Sequence, residues 1–204
     1  MTYKWVKEQT LKLLNQYSVA GREIPVTYNN QEDYLKRIPS LVNDAMMEIA
    51  TTVRKIPETM CLTELLGEEH GNEMWYELPD DFYQFKSGDT VRTTNGRVLH
   101  TNLYSILGKK TLVIPKKEVG DYYITYYRYP RLLDETQPWD DAILDNDPET
   151  HAAIPFYVAS FLVAQDNSFL CALFTNKFDD KLSKMLPTIS ASAVQTEDVY
   201  RFDL

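Results

Sequence analysis

The sequence predicts an α+β fold in which helices from both ends of the chain form one bundle around an inserted antiparallel β-barrel or sandwich. Apolar residues have helical spacing before residue 57 and after residue 148, and they alternate in between. Frequent turn signals divide the alternating stretch into short strands, as in small barrels and sandwiches. The predicted parts are N-terminal helices 1–57, an inserted β module 58–131, a linker with C-terminal helices 132–187, and a flexible tail 188–204.

Length, charge and composition limit the classes of function. The chain has 204 residues, of which 44% are apolar, and this is enough for one globular domain with a sizeable core. Its net charge of −9 argues against binding nucleic acid through phosphates, which requires clustered Lys and Arg. The start lacks the apolar stretch of a secretory signal, and the longest nearly apolar run, 151–164, is too short to span a bilayer. We expect Cys61 and Cys171 to be buried free thiols.

Two helical segments are predicted near the N-terminus. The first carries an apolar stripe from Tyr3 to Tyr17, and the hydroxyl of Thr2 can cap its start. The second ends before Pro57. Pro39 lies inside the second segment, and we expect a kink or a restart there because proline removes a backbone donor and clashes with the preceding turn.

The middle of the chain is predicted to consist of short strands joined by tight turns. Met74 to Leu78 is one such strand. Asn95-Gly96 and Gly108-Lys109 favour hairpin turns, because glycine and asparagine tolerate positive φ. A turn at Gly120-Asp121 leads into a tyrosine-rich strand. Only Arg128 lies among its tyrosines, so we favour a structural strand over a platform on which sugars or single-stranded nucleic acid would stack.

An acidic linker and two helices follow the tyrosine-rich strand. The linker, 134–149, contains no basic residue, and we expect it to be solvated. Asp147 is a natural cap for the next helix, with Pro148 at its first position. This helix is apolar on nearly every side, which indicates burial at the centre of a bundle or between subunits. Pro155 should bend it.

Six apolar side chains are candidates for contacts with other subunits or partners. They are Phe156, Tyr157, Phe161, Tyr200, Phe202 and Leu204. The first three lie on the apolar helix. The last three alternate with charged residues, as in a half-buried strand that adds to the sheet edge of a partner subunit. A frayed end, or one folded back on its own bundle, is the open alternative.

No motif in the sequence indicates catalysis, a cofactor or a bound metal. His70, His100 and His151 are not at metal-ligand spacing, and we expect ordinary surface or capping histidines. The acidic residues of the linker lack the glycine and the bidentate glutamate of an EF-hand loop. Asp80-Asp81 follows Pro79 and is a turn signature rather than an acid–base pair. Nucleophile-elbow and phosphate-binding glycine motifs are missing, so we expect a protein that is not an enzyme.

The order of these segments resembles a family of bacteriophage proteins, the head-to-tail connector adaptors of tailed phages. The resemblance covers about residues 30–185 in order and character. It is carried by DYLKRIPSLVNDAMMEIA (33–50), ELPDDFYQF (77–85), GDYYITYYRYP (120–130), DPETHAAIPFYVASFLVAQD (147–166) and FTNKFDDKL (174–182). Pro155 departs from the usual pattern of the penultimate helix.

The resemblance implies a structural role in the virion. Proteins of this family are helical bundles with a β-rich insertion, and they form rings of about twelve subunits beneath the portal. The implied partners are the portal protein, a tail component and DNA that passes without sequence-specific binding, and an acidic lumen suits such passage. The family implies no catalytic residue, cofactor or membrane contact. The chain would be made in the host cytoplasm and reside in the virion neck. The alternatives are a cytoplasmic ligand- or protein-binding module and an unrecognised enzyme.

Overall fold

The computed structural model describes residues 1–14, 29–62, 67–85, 91–93, 104–108, 110–116 and 122–185. Within these ranges the helices are α1 (Tyr3–Leu13), α2 (Asn29–Thr52), α3 (Ile154–Val163) and α4 (Ser168–Ser183), with a 3-10 turn at Thr150–Ala152. The strands are β1 (Ile56–Leu62), β2 (Glu68–His70), β3 (Glu73–Glu77), β4 (Phe82–Phe85), β5 (Val91–Thr93), β6 (Ser105–Leu107), β7 (Thr111–Pro115) and β8 (Tyr122–Arg128). Helices at both ends and antiparallel strands between them confirm the predicted α+β class.

The first antiparallel sheet is built around the tyrosine-rich strand β8. β1 pairs with one edge of β8, and β4 and β5 pair with the other. Side chains alternate along β8, so that Ile124, Tyr126 and Arg128 are buried while Tyr123 is exposed. The prediction that this stretch forms a strand is confirmed, and its position at the centre of the sheet suits its aromatic composition.

The second antiparallel sheet has the strand order β2-β3-β7-β6. Gly71 and Gly108 occupy its β2–β3 and β6–β7 turns with φ of 62° and 60°, a conformation that strains other residues. The turn predicted at Gly108 is therefore confirmed. The turns predicted at Asn95-Gly96 and Gly120-Asp121 lie outside the described residues.

Both sheets contribute to one buried cluster. Its members are Leu62, Met74, Tyr76, Leu78, Leu112, Ile114, Ile124 and Tyr126. The shared cluster shows that the two sheets face each other, because residues of β1 and β8 contact residues of β3 and β7. The sequence predicted an antiparallel barrel or sandwich. The described strands form two separate sheets and no closed barrel.

All four helices contribute to a second, larger core. Its fully enclosed members are Tyr3, Val6, Leu11, Ile38, Val42, Ala45, Met46, Ile49, Leu144, Ala153, Ile154, Val158, Leu162, Phe178 and Leu182. α3 lies among the others and contacts α1, α2 and α4. Each fully buried large aliphatic side chain stabilises the fold by roughly 1.5–3 kcal/mol. The helices that precede the strands thus pack directly on those that follow them.

The restart predicted at Pro39 is wrong, and Pro155 does not lie in the middle of its helix as predicted. α2 is continuous from Asn29 to Thr52 and runs through Pro39 without restarting. Ile38 and Val42 beside it are fully buried, and their packing offsets the roughly 3 kcal/mol that proline costs a helix interior. Pro155 lies in the first turn of α3, because the helix begins only at Ile154. Its missing N–H needs no partner there, and the expected mid-helix bend has no cause.

Candidate interaction surfaces

The described residues of the predicted interface belong partly to the protein's own core. Phe156 and Tyr157 are half-buried and pack against the helical core. The Tyr157 ring lies 4.7 Å from that of Phe161 and 5.1 Å from that of Phe178, measured between centroids. Phe161 is 46% exposed, so of these three it is the most available to a partner. The predicted contact residues Tyr200, Phe202 and Leu204 lie outside the described residues.

A groove of about 270 Å³ runs between α3 and α4 beside Phe161. Tyr157, Phe161, Cys171 and Phe178 form its apolar lining, and Glu48 of α2 lies at its side. Burial, followed by the nearby charges of two carboxylates, raises the pKa of Tyr157, so this hydroxyl stays protonated. The groove offers an apolar slot for one side chain of a partner.

The two cysteines are less buried than predicted. Both are free thiols; Cys61 on β1 is exposed, and Cys171 on α4 is half-buried at the groove. Cys61 points away from the sheet core because side chains alternate along β1 and its neighbour Leu62 takes the buried position. The prediction of two buried thiols is therefore wrong for Cys61.

The outer side of α4 combines exposed apolar residues with lysines. Phe169 is 75% exposed, and Leu173 is exposed one turn later. Lys177, Lys181 and the cap residue Lys184 follow at spacings of three and four residues; Lys177 and Lys184 are exposed, whereas Lys181 is half-buried with its ammonium 5.4 Å from the Phe156 ring. We call this surface the α4 face. Asp180 also lies there, but it is paired with Lys184 at 2.7 Å.

A second exposed apolar surface lies in the acidic linker. Trp139 is 80% exposed and Ile143 is 78% exposed, and Leu132 is exposed beside them. Together with Ala142 and Leu144 they line a hollow of about 400 Å³. Asp134, Asp140 and Asp141 surround the apolar side chains. We call this surface the linker face.

Large exposed side chains such as those of the linker face are enriched where proteins bind one another. The sequence analysis missed them because they fall in a stretch classified by its charge. The available signal was two bulky apolar residues within an acidic run.

Most residues of the linker are exposed, as expected of a solvated segment, but its backbone is also held in place. On one side it pairs with the start of α1: the backbone N–H of Tyr3 donates to Ala142 O at 2.8 Å, and that of Lys4 donates to Asp140 O at 2.9 Å. The Lys7 ammonium binds the Asp140 carboxylate at 2.6 Å. Thr2, which caps α1 as predicted, also forms a bridge with Ile143.

The linker is also tied to α2 by buried amide side chains. Asn43 donates from Nδ2 to Leu133 O at 3.0 Å and accepts at Oδ1 from the Leu133 N–H at 2.8 Å. Asn146 donates from Nδ2 to Met46 O at 3.0 Å. These bonds fix the backbone on both sides of the linker face, so Trp139 and Ile143 project from a positioned segment.

One buried ion pair joins the linker to the first sheet. The Arg128 guanidinium binds both carboxylate oxygens of Asp145, with Nη2 to Oδ1 at 3.0 Å, and its Nε contacts Glu58 at 3.2 Å. Asp145 Oδ2 also accepts from the Arg131 backbone N–H at 2.7 Å. Burial opposes ionisation of Asp145, but the hydrogen bonds from Arg128 and Arg131 outweigh it and hold the pKa of Asp145 below its usual range.

His151 is a core residue, and the prediction of a surface or capping histidine is wrong for it. The side chain is fully buried. Its Nε2 lies 3.0 Å from Asn146 O, and its Nδ1 lies 3.0 Å from the α-amino group of Met1. Burial, followed by the positive charge of that amino group, lowers the pKa of His151, so the ring is neutral at pH 7. His70 is partly exposed and stacks on Trp75 at 4.0 Å, and His100 lies outside the described residues.

Neither a metal centre nor a membrane span is found in the part of the chain that the structure describes. No three His, Cys, Asp or Glu side chains come together there in a way that could hold a metal ion. No described helix combines the length and apolarity needed to cross a bilayer. No protein-family model matches the chain, and no curated protein matches it.

Proposed function

We propose that this chain is a non-enzymatic virion protein, a head-to-tail connector adaptor whose ring lies beneath the portal of a tailed phage. The observation that carries the proposal is the order of its parts. Segments that resemble this family fold into helices whose two groups, before and after the strands, share one core. The resemblance implies this arrangement of a helical body interrupted by a β-rich insertion.

The finer architecture belongs to the same proposal. We take the four helices as a bundle that forms the ring body and the two facing sheets as a module that projects from it. The ion pair between Arg128 and Asp145 would then hold the module at a set angle to the body, since Asp145 belongs to the linker that is tied to α1 and α2. A fixed angle suits a subunit whose module must meet a neighbouring component.

The exposed surfaces support a subunit that contacts more than one neighbour. The groove beside Phe161, the α4 face and the linker face each offer apolar side chains. A ring subunit needs two different lateral surfaces in addition to those for the portal and the tail. The net charge of −9 suits a channel through which DNA passes, because repelled phosphates do not adhere to its wall.

The proposal is tested by disrupting the gene in a phage that encodes it. We expect particles with DNA-filled heads and no tails, and restoration of tailed particles when the wild-type chain is supplied from a plasmid. Purified chain mixed with the portal protein of the same phage should form a ring on the portal that electron microscopy resolves. Tailed, infectious particles from the disrupted phage would refute the proposal.

A protein-binding module is the second candidate, and the groove between α3 and α4 favours it. Its apolar lining and its volume of about 270 Å³ fit one large side chain of a partner peptide. Under this reading, Phe161→Ser would abolish capture of one host or phage protein, and disruption of the gene would leave tailed particles. The two candidates thus give opposite results in the same disruption experiment.

A further inference from the structure

Two exposed surfaces of this chain are complementary in charge. The linker face presents Trp139 and Ile143 beside Asp140 and Asp141. Asp140 is paired with Lys7, whereas Asp134 and Asp141 have no ion pair among the described residues, and Arg131 is the cation that lines the same hollow. The α4 face presents Phe169 and Leu173 beside three lysines and one paired aspartate, and its net charge is positive.

The two faces are held by different elements of the helical part. The linker is bonded to α1, α2 and β8, whereas α4 packs on α3 and the 3-10 turn. No described hydrogen bond or ion pair joins the linker face to α4. Among the described residues of one copy, Trp139, Ile143, Phe169 and Leu173 therefore remain exposed.

We propose that the linker face of one copy docks on the α4 face of a second copy. A symmetric contact of either face with itself would place like charges opposite each other, at Asp141 or at Lys177, and this is unfavourable. The head-to-tail contact instead places Asp141 near Lys177 and lets Trp139 pack on Phe169 and Leu173. Trp139 is the anchor, because a large aromatic side chain desolvated at the centre of a contact contributes most to binding.

A contact between two different faces has a consequence for assembly. Each added copy exposes a new face of the same kind, so further copies can add to it. The row of subunits ends when the rotation between neighbouring subunits closes it into a ring. This step deepens the proposed connector function and rests on it, since it names the lateral surface of the ring. Only a few side chains take part, so each junction is weak alone and gains strength when subunits are held on a common template.

The experiment uses one variant that breaks each face. Trp139→Lys places a cation opposite the lysines of the α4 face, and Phe169→Asp places an anion opposite the linker face. Both side chains are largely exposed, so we expect both variants to fold like the wild type, as circular dichroism will verify. In sedimentation experiments on the full chain, we expect the wild type to associate in a concentration-dependent way. Each variant should raise the dissociation constant of this self-association by roughly tenfold or more.

Mixing the two variants is the decisive measurement. The Trp139→Lys copy keeps an intact α4 face and the Phe169→Asp copy keeps an intact linker face, so the mixture should form dimers through these two intact faces. A carbodiimide should couple Asp141 to Lys177 between copies in the wild type and in the mixture. Leu107→Asp, which changes an exposed apolar residue of β6 away from both faces, should associate like the wild type.

Several results would overturn the proposal. The first is that the wild type does not associate at its solubility limit. The second is that the mixture forms no dimers. The third is that Leu107→Asp weakens self-association as much as the two face variants do. If Trp139→Lys blocks binding to the portal but leaves self-association unchanged, the linker face serves another partner, and the connector function stands without this contact. If the contact passes every test while the gene-disrupted phage still makes tailed particles, the contact stands and the connector function fails.

Discussion

Replacing Asp145 with alanine should destabilise this protein more than any comparable change to a surface carboxylate. Its carboxylate neutralises Arg128, whose side chain is almost fully buried, and accepts the backbone N–H of Arg131. Asp145→Ala leaves the guanidinium buried with Glu58 as its one remaining carboxylate partner in the described part of the chain. It also removes the hydrogen bond by which Asp145 holds the backbone at Arg131, just after β8.

The size of the effect follows from burial. Removing one partner of a buried ion pair costs about 3–5 kcal/mol. The Asp145 side chain is 23% exposed and Glu58 keeps its contact with Arg128, so we expect about 2–3 kcal/mol, below the range for a fully buried pair. For a chain of this length, 1 kcal/mol lowers Tm by about 2–4 °C, so Tm should fall by about 4–12 °C.

Urea unfolding followed by far-UV circular dichroism measures this loss. The pKa of Asp145 is lowered in the folded state, so its stabilisation is complete above the unfolded aspartate pKa of about 3.9 and is lost as pH falls through the folded value. The difference in the free energy of unfolding between the wild type and Asp145→Ala should therefore become smaller below a pH of about 4. Arg128→Met in the Asp145→Ala background should recover stability, because no unpaired charge is then buried.

Asp180→Ala is the matched control, since Asp180 pairs with Lys184 at an exposed site on α4. It should leave the unfolding curve nearly unchanged. The reasoning fails if Asp145→Ala costs no more than this control, or if its effect does not diminish in acid.

Three further predictions use the same unfolding assay. Gly71→Ala should cost about 1–2 kcal/mol because φ of 62° strains any side chain; an unchanged midpoint would contradict this. Met46→Ala should cost about 2–5 kcal/mol, since the side chain is fully buried in the helical core; under 1 kcal/mol would mean that the core collapses around the change. Wild-type stability should decline as pH falls through about 6.5, because burial lowers the pKa of His151 in the folded state. His151→Gln should flatten this decline, and equal slopes would exclude His151 as its source.

Several elements were predictable because nearby residues determine them. The Thr2 cap, the Gly108 turn and the strand character of β8 depend on side-chain chemistry within a few positions. The burial of α3 followed from its apolar composition alone. Periodicity placed helices at both ends of the chain and strands between them, and this gave the α+β class.

Other features depend on residues far apart in the sequence, and the sequence analysis did not anticipate them. His151 is buried because Asn146 and the chain start enclose it. α2 passes through Pro39 because its flanking residues are packed into a core shared with other helices. The acidic linker is bound because Asn43 and Lys7, about 90 and 133 positions away, supply its partners.

The candidate surfaces likewise combine features set by local sequence with features set by contacts between distant residues. The sequence by itself determined the element types, the absence of a motif for catalysis and the apolar character of Phe156, Tyr157 and Phe161, because these follow from composition and spacing. The tertiary structure decided that Phe156 and Tyr157 are half-buried and that Trp139 and Ile143 are exposed on a bound segment. Exposure is a property of packing between distant segments, and local sequence does not encode which side of a helix or linker another segment covers.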